Sequence, residues 1–166
     1  MKENNLTTLS LNDRVAVITG AKQGIGAAVA IGFAMRGAKV VLWDWSDIKE
    51  ASEIITKVSK YCNDALYLQV DVSDKSAVTE AAERTLKHFG KVDVLVNNAA
   101  ICPRTPFLDM KFEEWQNVVD ISLSGSWLCA KAFVPNMINQ SFGKIKNVSN
   151  ILYVLGERLL SHLFRL

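Results

Sequence analysis

The stretch TGAKQGIG, Thr19 to Gly26, holds three glycines at a spacing that suits a pyrophosphate. It follows RVAVITG, a short apolar run rich in β-branched residues, and it precedes small and apolar residues at helical spacing. In such a strand–turn–helix unit Gly20 permits the tight turn, Gly24 lets the backbone approach a phosphate, and Gly26 lets helix and strand pack closely. The helix that starts there offers free N–H groups and the positive end of its dipole to an anion. A glycine-rich turn alone signifies only a tight turn; the strand before it and the helix after it make the phosphate reading specific.

Asp44 ends a second apolar run, AKVVLWD, roughly twenty residues past the turn, where a carboxylate accepts hydrogen bonds from both ribose hydroxyls of NAD. The same carboxylate repels a 2′-phosphate, so NAD is expected over NADP. Gln23, just before Gly24, adds no positive charge, whereas neighbouring Lys22 can. The competing reading of Asp44 is an aspartate that starts a helix, since Asp47 lies close by.

Positioning these residues requires alternating strands and helices. Ala27, Val29, Ala30, Phe33 and Ala34 recur at helical spacing between Gly26 and Met35, and Gly37 closes the segment. After the second strand, Ile48, Ile55 and Val58 mark a helix face, and ALYLQVD reads as a third strand. Ser73 stands where an N-cap belongs, and Val78, Ala82, Leu86 and Phe89 continue to Gly90, a natural stop. VDVLVNN is a fourth strand; a loop with Pro103 and Pro106 leads to a long helix over about 113–139; KIKNVS after Gly143 is a fifth.

Near-continuous apolar strands alternating with helices predict an α/β fold, a doubly wound parallel sheet that is Rossmann-like. About five strands, ordered 3-2-1-4-5, are expected, with the C-terminal part incomplete. The chain divides into a polar lead over 1–11, a dinucleotide-binding domain over 12–150, and an apolar tail over 151–166 that departs from the pattern.

Composition narrows the partners. A hydrophobic fraction of 49% with 22% charged residues is globular, and a net charge of +2 without a Lys/Arg run argues against nucleic acid. The polar start MKENNLTTLSLNDR lacks a signal peptide's apolar core, and no apolar run is long enough to span a membrane, so the cytoplasm is expected. Cys62, Cys102 and Cys129 are too scattered for a disulfide framework or a zinc site.

These motifs together resemble the short-chain dehydrogenase/reductase family. Thr19-Gly20-x-x-x-Gly24-Ile25-Gly26 is similar to its cofactor-binding turn, and Asp71-Val72 to its adenine-contacting pair after the third strand. Asn97-Asn98-Ala99-Ala100 is similar to the Asn-Asn-Ala-Gly that ends the fourth strand, with Ala100 in place of the glycine. EEWQNVVDISLSG and GKIKNVSN follow in order, so the resemblance covers about Leu11 to Asn150. It implies cofactor contacts from Gly20, Lys22, Gln23, Gly24, Ile25, Gly26, Asp44, Asp71, Val72, Asn98 and Ala99. It also implies NAD-dependent hydride transfer with a small-molecule alcohol or carbonyl substrate, and a homo-oligomer through the 113–139 helix. Trp127, Leu128 and Phe133 are the expected contacts there.

The family's catalytic positions read differently. Its helix asparagine aligns with Ser122 and its serine with Asn150. Its tyrosine falls at Leu163, and its lysine falls past Leu166. A free phenol, with a pKa of about 10, needs that nearby cation to work at neutral pH. Tyr153 is the nearest phenol, but Glu157 stands four residues on, and a carboxylate there raises a phenol's pKa. Ser149 with Tyr153 as a displaced pair competes with the reading of both as loop residues, and His162 has no evident partner. No catalytic residue is therefore assigned. Leu155, Leu159, Leu160, Leu163 and Phe164 make an apolar set suited to docking on the sheet, and Lys146 suits an edge strand. A chain cut short before the Tyr-x-x-x-Lys motif reads this way: an oxidoreductase by descent, inactive as written, or else a non-catalytic NAD-binding module.

Overall fold

The computed structural model describes residues 10–149. Five strands form the sheet: β1 (Val15–Thr19), β2 (Lys39–Asp44), β3 (Leu66–Gln69), β4 (Val94–Asn97) and β5 (Lys144–Asn147). Helices α1 (Gly24–Ala34), α2 (Ser52–Ser59) and α3 (Lys75–Phe89) alternate with the first four strands. Between β4 and β5 run α4 (Phe112–Val119), a π turn over Asp120–Ser124, and α5 (Gly125–Asn139). All strand pairs are parallel and the order is β3-β2-β1-β4-β5, as the alternation predicts.

The pleat sends alternate side chains of one strand to opposite faces. Val15, Val17, Val41 and Trp43 pack with Val78, Ala82 and Phe133 of α3 and α5. Ala16, Ile18, Val40 and Leu42 pack with Ala30 and Ala34 of α1 and with Ile54 and Val58 of α2. Both faces of β1 and of β2 beyond Lys39 are thus buried, which is why 15–18 and 40–43 are apolar without a break. Among the described residues β5 is an edge strand, and Lys146 is exposed on it as its charge requires.

Four local expectations change. Ile48 is exposed in the turn before α2, and Ile54 takes the buried position instead. The N-cap of α3 is Asp74, whose Oδ1 accepts the N–H groups of Ser76 and Ala77; Ser73 instead donates its hydroxyl to Asp71. Gly90, in the left-handed region at φ 74°, closes α3 as predicted. The long helix is interrupted: the Gly125 N–H reaches back to the Asp120 carbonyl, and the Ser126 hydroxyl donates to the Ser122 carbonyl at 2.8 Å. Within it Phe133 is fully buried against Trp43, ring centroids 5.4 Å apart, and Leu128 is partly buried. Of the three expected contact residues only Trp127 is exposed.

Among the described residues no helix is long and apolar enough to cross a membrane, and no group of three metal-ligating side chains assembles. Cys62 and Cys129 are buried free thiols and Cys102 is exposed. The tail over 151–166, with Asn150, Tyr153, Glu157, His162 and Leu163, lies outside the described residues, as do residues 1–9 of the polar lead.

Candidate dinucleotide cleft

β1 and β4 lie side by side at the centre of the sheet, and the winding direction reverses between them. Ligands of open α/β sheets bind beyond the carboxyl ends of the strands at such a point. Thr19 and Asn98 fasten the two strand ends together. The Thr19 hydroxyl oxygen accepts the Asn98 and Ala99 N–H groups, both at 3.0 Å. The Asn98 side-chain amide donates to the Thr19 and Gly20 carbonyls, also at 3.0 Å. The turn after β1 therefore has a single place to lie, and two of its carbonyls are satisfied by side-chain donors.

The glycines have separate reasons. Gly20 has φ +61°, and a Cβ there would stand 2.9 Å from the Ala99 Cα. Of the three turn glycines Gly26 carries the tightest contact: a Cβ would press into the Gly20 carbonyl oxygen and lie 2.6 Å from the Asn98 amide nitrogen. Gly24 has φ +57° but open space where a Cβ would go. α1 begins there with extended Gln23 as its N-cap, and no side chain caps its first turn. Its N-terminal N–H groups are thus left to a ligand or to water.

Asp44 lies at the end of β2, not at the start of a helix, and is 6% exposed. Its Oδ2 accepts the Lys22 N–H at 3.0 Å and its Oδ1 the Ser46 N–H at 3.1 Å. Each carboxylate oxygen has a second lone pair, so acceptor capacity toward a ligand remains. Asp47 serves its own turn by accepting the Lys49 N–H. Beyond β3, Asp71 Oδ1 accepts the Ser73 N–H and hydroxyl, and Val72 is buried under α5, where a Gly125 Cβ would meet its Cγ2 at 2.7 Å.

A cleft of about 550 Å³ gathers Gly20, Lys22, Gln23, Asp44, Asp71, Val72, Asn98 and Ala99 around one space. Gly24, Ile25 and Gly26 do not line it: the two glycines shape the turn, and the Ile25 side chain faces outward. Trp45, Val70, Ile101, Asn117 and Ile121 also line the cleft without having been assigned to the site from the sequence, as does Ala100, which stands in place of the family's glycine. A signal existed for part of this, since Asn117, Ile121 and Gly125 recur every four residues. No tyrosine is among the described residues that line the cleft, and Ser122 does not line it either. At the strand end beside the cleft, Asn97 donates to the Ser126 carbonyl and Asn147 Oδ1, while its buried Oδ1 has no partner among the described residues.

Residues 14–157 match the family described as short chain dehydrogenase. A 3-oxoacyl-(acyl-carrier-protein) reductase of Synechocystis is 36% identical over 148 residues, 89% of this chain and 60% of that protein. A cis-4-hydroxycyclohexanecarboxylate dehydrogenase of Sinomonas cyclohexanicum is 38% identical over 147 residues, 87% of this chain and 58% of its own. The chain thus spans less than two thirds of the relatives it matches. A crystal structure from Sinorhizobium meliloti, described as a short-chain alcohol dehydrogenase, superposes with a TM-score of 0.83 at 29% identity, over 89% of this chain and 58% of that one.

Proposed function

The chain belongs to the short chain dehydrogenase family, and from that premise we propose that residues 12–150 hold NAD(H) for an oxidoreductase that interconverts an alcohol and a carbonyl. The observation that carries this reading is the cleft at the β1/β4 reversal, where Gly20, Lys22 and Gln23 of the turn that leads into α1 line one space with Asp44. A pyrophosphate suits the free N–H groups of α1, and the ribose hydroxyls suit Asp44. Asp71, Val72 and Ile121 offer the wall for an adenine, and Asn98 with Ala99 the floor toward the nicotinamide. When bound, the nicotinamide supplies or accepts the hydride. The relatives' names, a 3-oxoacyl reductase and a hydroxy-acid dehydrogenase, support an alcohol–carbonyl pair as the substrate class.

We assign no turnover to the chain as written. Hydride transfer to a carbonyl needs a group that protonates the developing alkoxide and donors that stabilise it. The described lining of the cleft provides no phenol, Ser122 replaces the family's asparagine, and Leu163 stands where its tyrosine would. Losing one general acid typically costs about 10²–10⁴ in rate, and groups that act together fail together.

The test is a titration of the purified chain with NADH and NADPH, followed by fluorescence, with Trp45→Phe as the reporter control. A panel of alcohols and carbonyls is assayed in parallel. NADH binding without turnover is expected. Failure to bind either dinucleotide overturns the cofactor reading, and steady turnover overturns the assignment of inactivity.

A further inference from the structure

The ion pair between Lys22 and Glu50 bears on which dinucleotide the cleft admits, an inference that rests on the reading that the cleft holds one. Lys22 belongs to the glycine-rich turn and lines the cleft, and its backbone N–H is bound to Asp44. Asp44 and Lys22 therefore share one corner of the cleft. The Lys22 Nζ does not point free into it: Glu50 Oε2, from the turn between β2 and α2, contacts it at 2.6 Å. The Lys22 side chain is only 24% exposed, against 61% for Glu50, so the cation end of the pair is the sheltered one.

An ammonium beside the adenosine ribose is an attractor for a 2′-phosphate, because lysine binds phosphate as a compact point charge. A phosphomonoester carries about −1.5 to −2 at neutral pH. With Glu50 in contact, that attraction is already taken up by a carboxylate of the same chain. The Lys22 turn then stands between two carboxylates, Asp44 on its backbone N–H and Glu50 on its ammonium. An entering 2′-phosphate would have to displace one carboxylate while facing the other. The ribose hydroxyls of NAD ask only for the acceptor, Asp44, and leave the ion pair alone.

We propose that Glu50 is a positioning residue that sets cofactor choice: by holding the Lys22 ammonium it withholds the charge that would accept the 2′-phosphate of NADP(H). Discrimination then rests on two carboxylates, one that repels directly and one that disarms the lysine.

Binding of NADH and NADPH to the full chain is measured for the wild type, Glu50→Gln, Lys22→Gln, Glu50→Gln with Lys22→Gln, and Asp47→Asn. Glu50→Gln is expected to tighten NADPH about tenfold, the worth of one charge-assisted contact, with NADH changed by less than about twofold. The gain should disappear when Lys22→Gln is added and should shrink as salt rises. Asp47→Asn, which removes a carboxylate from the same turn without freeing an ammonium, should not reproduce it. An unchanged NADPH/NADH ratio in Glu50→Gln, with the wild type binding NADH, overturns this inference and leaves the cofactor reading standing. Equal gains in Asp47→Asn, or a gain that survives Lys22→Gln, also overturn it, since charge alone would then suffice. A wild type that binds neither dinucleotide removes both.

Discussion

Gly24 and Gly26, two residues apart, separate conformational from steric need. At Gly24 an alanine would meet nothing, and its cost is the left-handed backbone, ~1 kcal/mol. At Gly26 an alanine would press on the Gly20 carbonyl and the Asn98 amide, so the turn or the clamp must give way, at ~2–3 kcal/mol. Urea unfolding of Gly24→Ala and Gly26→Ala should show that order, and only the second should also unseat the Asn98 clamp. Asp93, 2% exposed, poses a different residue-scale question. Burial alone would raise its pKa, but the Val15 N–H, the Arg14 guanidinium and the Lys91 ammonium outweigh that and hold the carboxyl below its usual range. A depressed native pKa contributes stability that is present above the unfolded value of about 4 and lost as pH falls through the native one. Unfolding free energy should therefore drop steeply below about pH 4 in the wild type. Asp93→Asn should be less stable at pH 7, by about 1–3 kcal/mol, with a shallower acid decline. Parallel slopes in urea titrations from pH 7 to pH 3 would contradict this.

Helix boundaries are where the elements depart from their sequence patterns. Ser73 and Asp74 are both good cap residues, and periodicity does not choose between them. The choice falls to Asp74 because Asp71 captures the Ser73 hydroxyl at 2.6 Å in the turn that shapes the cleft wall. Asp74→Ala should cost ~1 kcal/mol in thermal or urea unfolding, and Ser73→Ala a few tenths. Equal losses would mean that the cap is shared. The π turn at Asp120–Ser124 was not legible for a related reason: it is a single i→i+5 turn inside a helix and carries no residue signature of its own. Its consequence is spatial, since it lets Ile121 face the cleft while Gly125 seats on Val72.

At the scale of the molecule, α4, the π turn and α5 expose Phe112, Trp115, Leu123, Trp127 and Ile138, and among the described residues β5 is the edge of the sheet. So long an apolar row on a surface helix favours self-association, and we propose that this helix pairs two chains. Its contacts would be Leu123 and Trp127, not the buried Phe133. Light scattering should show dimers or larger species at modest concentration, and Leu123→Glu with Trp127→Glu should return them to monomer. A wild-type monomer across a wide concentration range would refute the pairing.

The sequence by itself determined the class of fold and the strand order. β-branched apolar runs at regular intervals, separated by helical periods, have few ways to bury both faces, and right-handed crossovers leave fewer. It also determined the turn chemistry, because Gly20 and Gly26 answer to local geometry that a motif records. Residues far apart in the chain were decided only by tertiary structure. That Lys22 meets Glu50, that Asn98 clamps Gly20, and that Phe133 turns inward to Trp43 depend on which strand ends and helix faces the sheet brings together. Spacing along a chain encodes the period of each element but not the rotation of one element against another, and the cleft is made of those rotations.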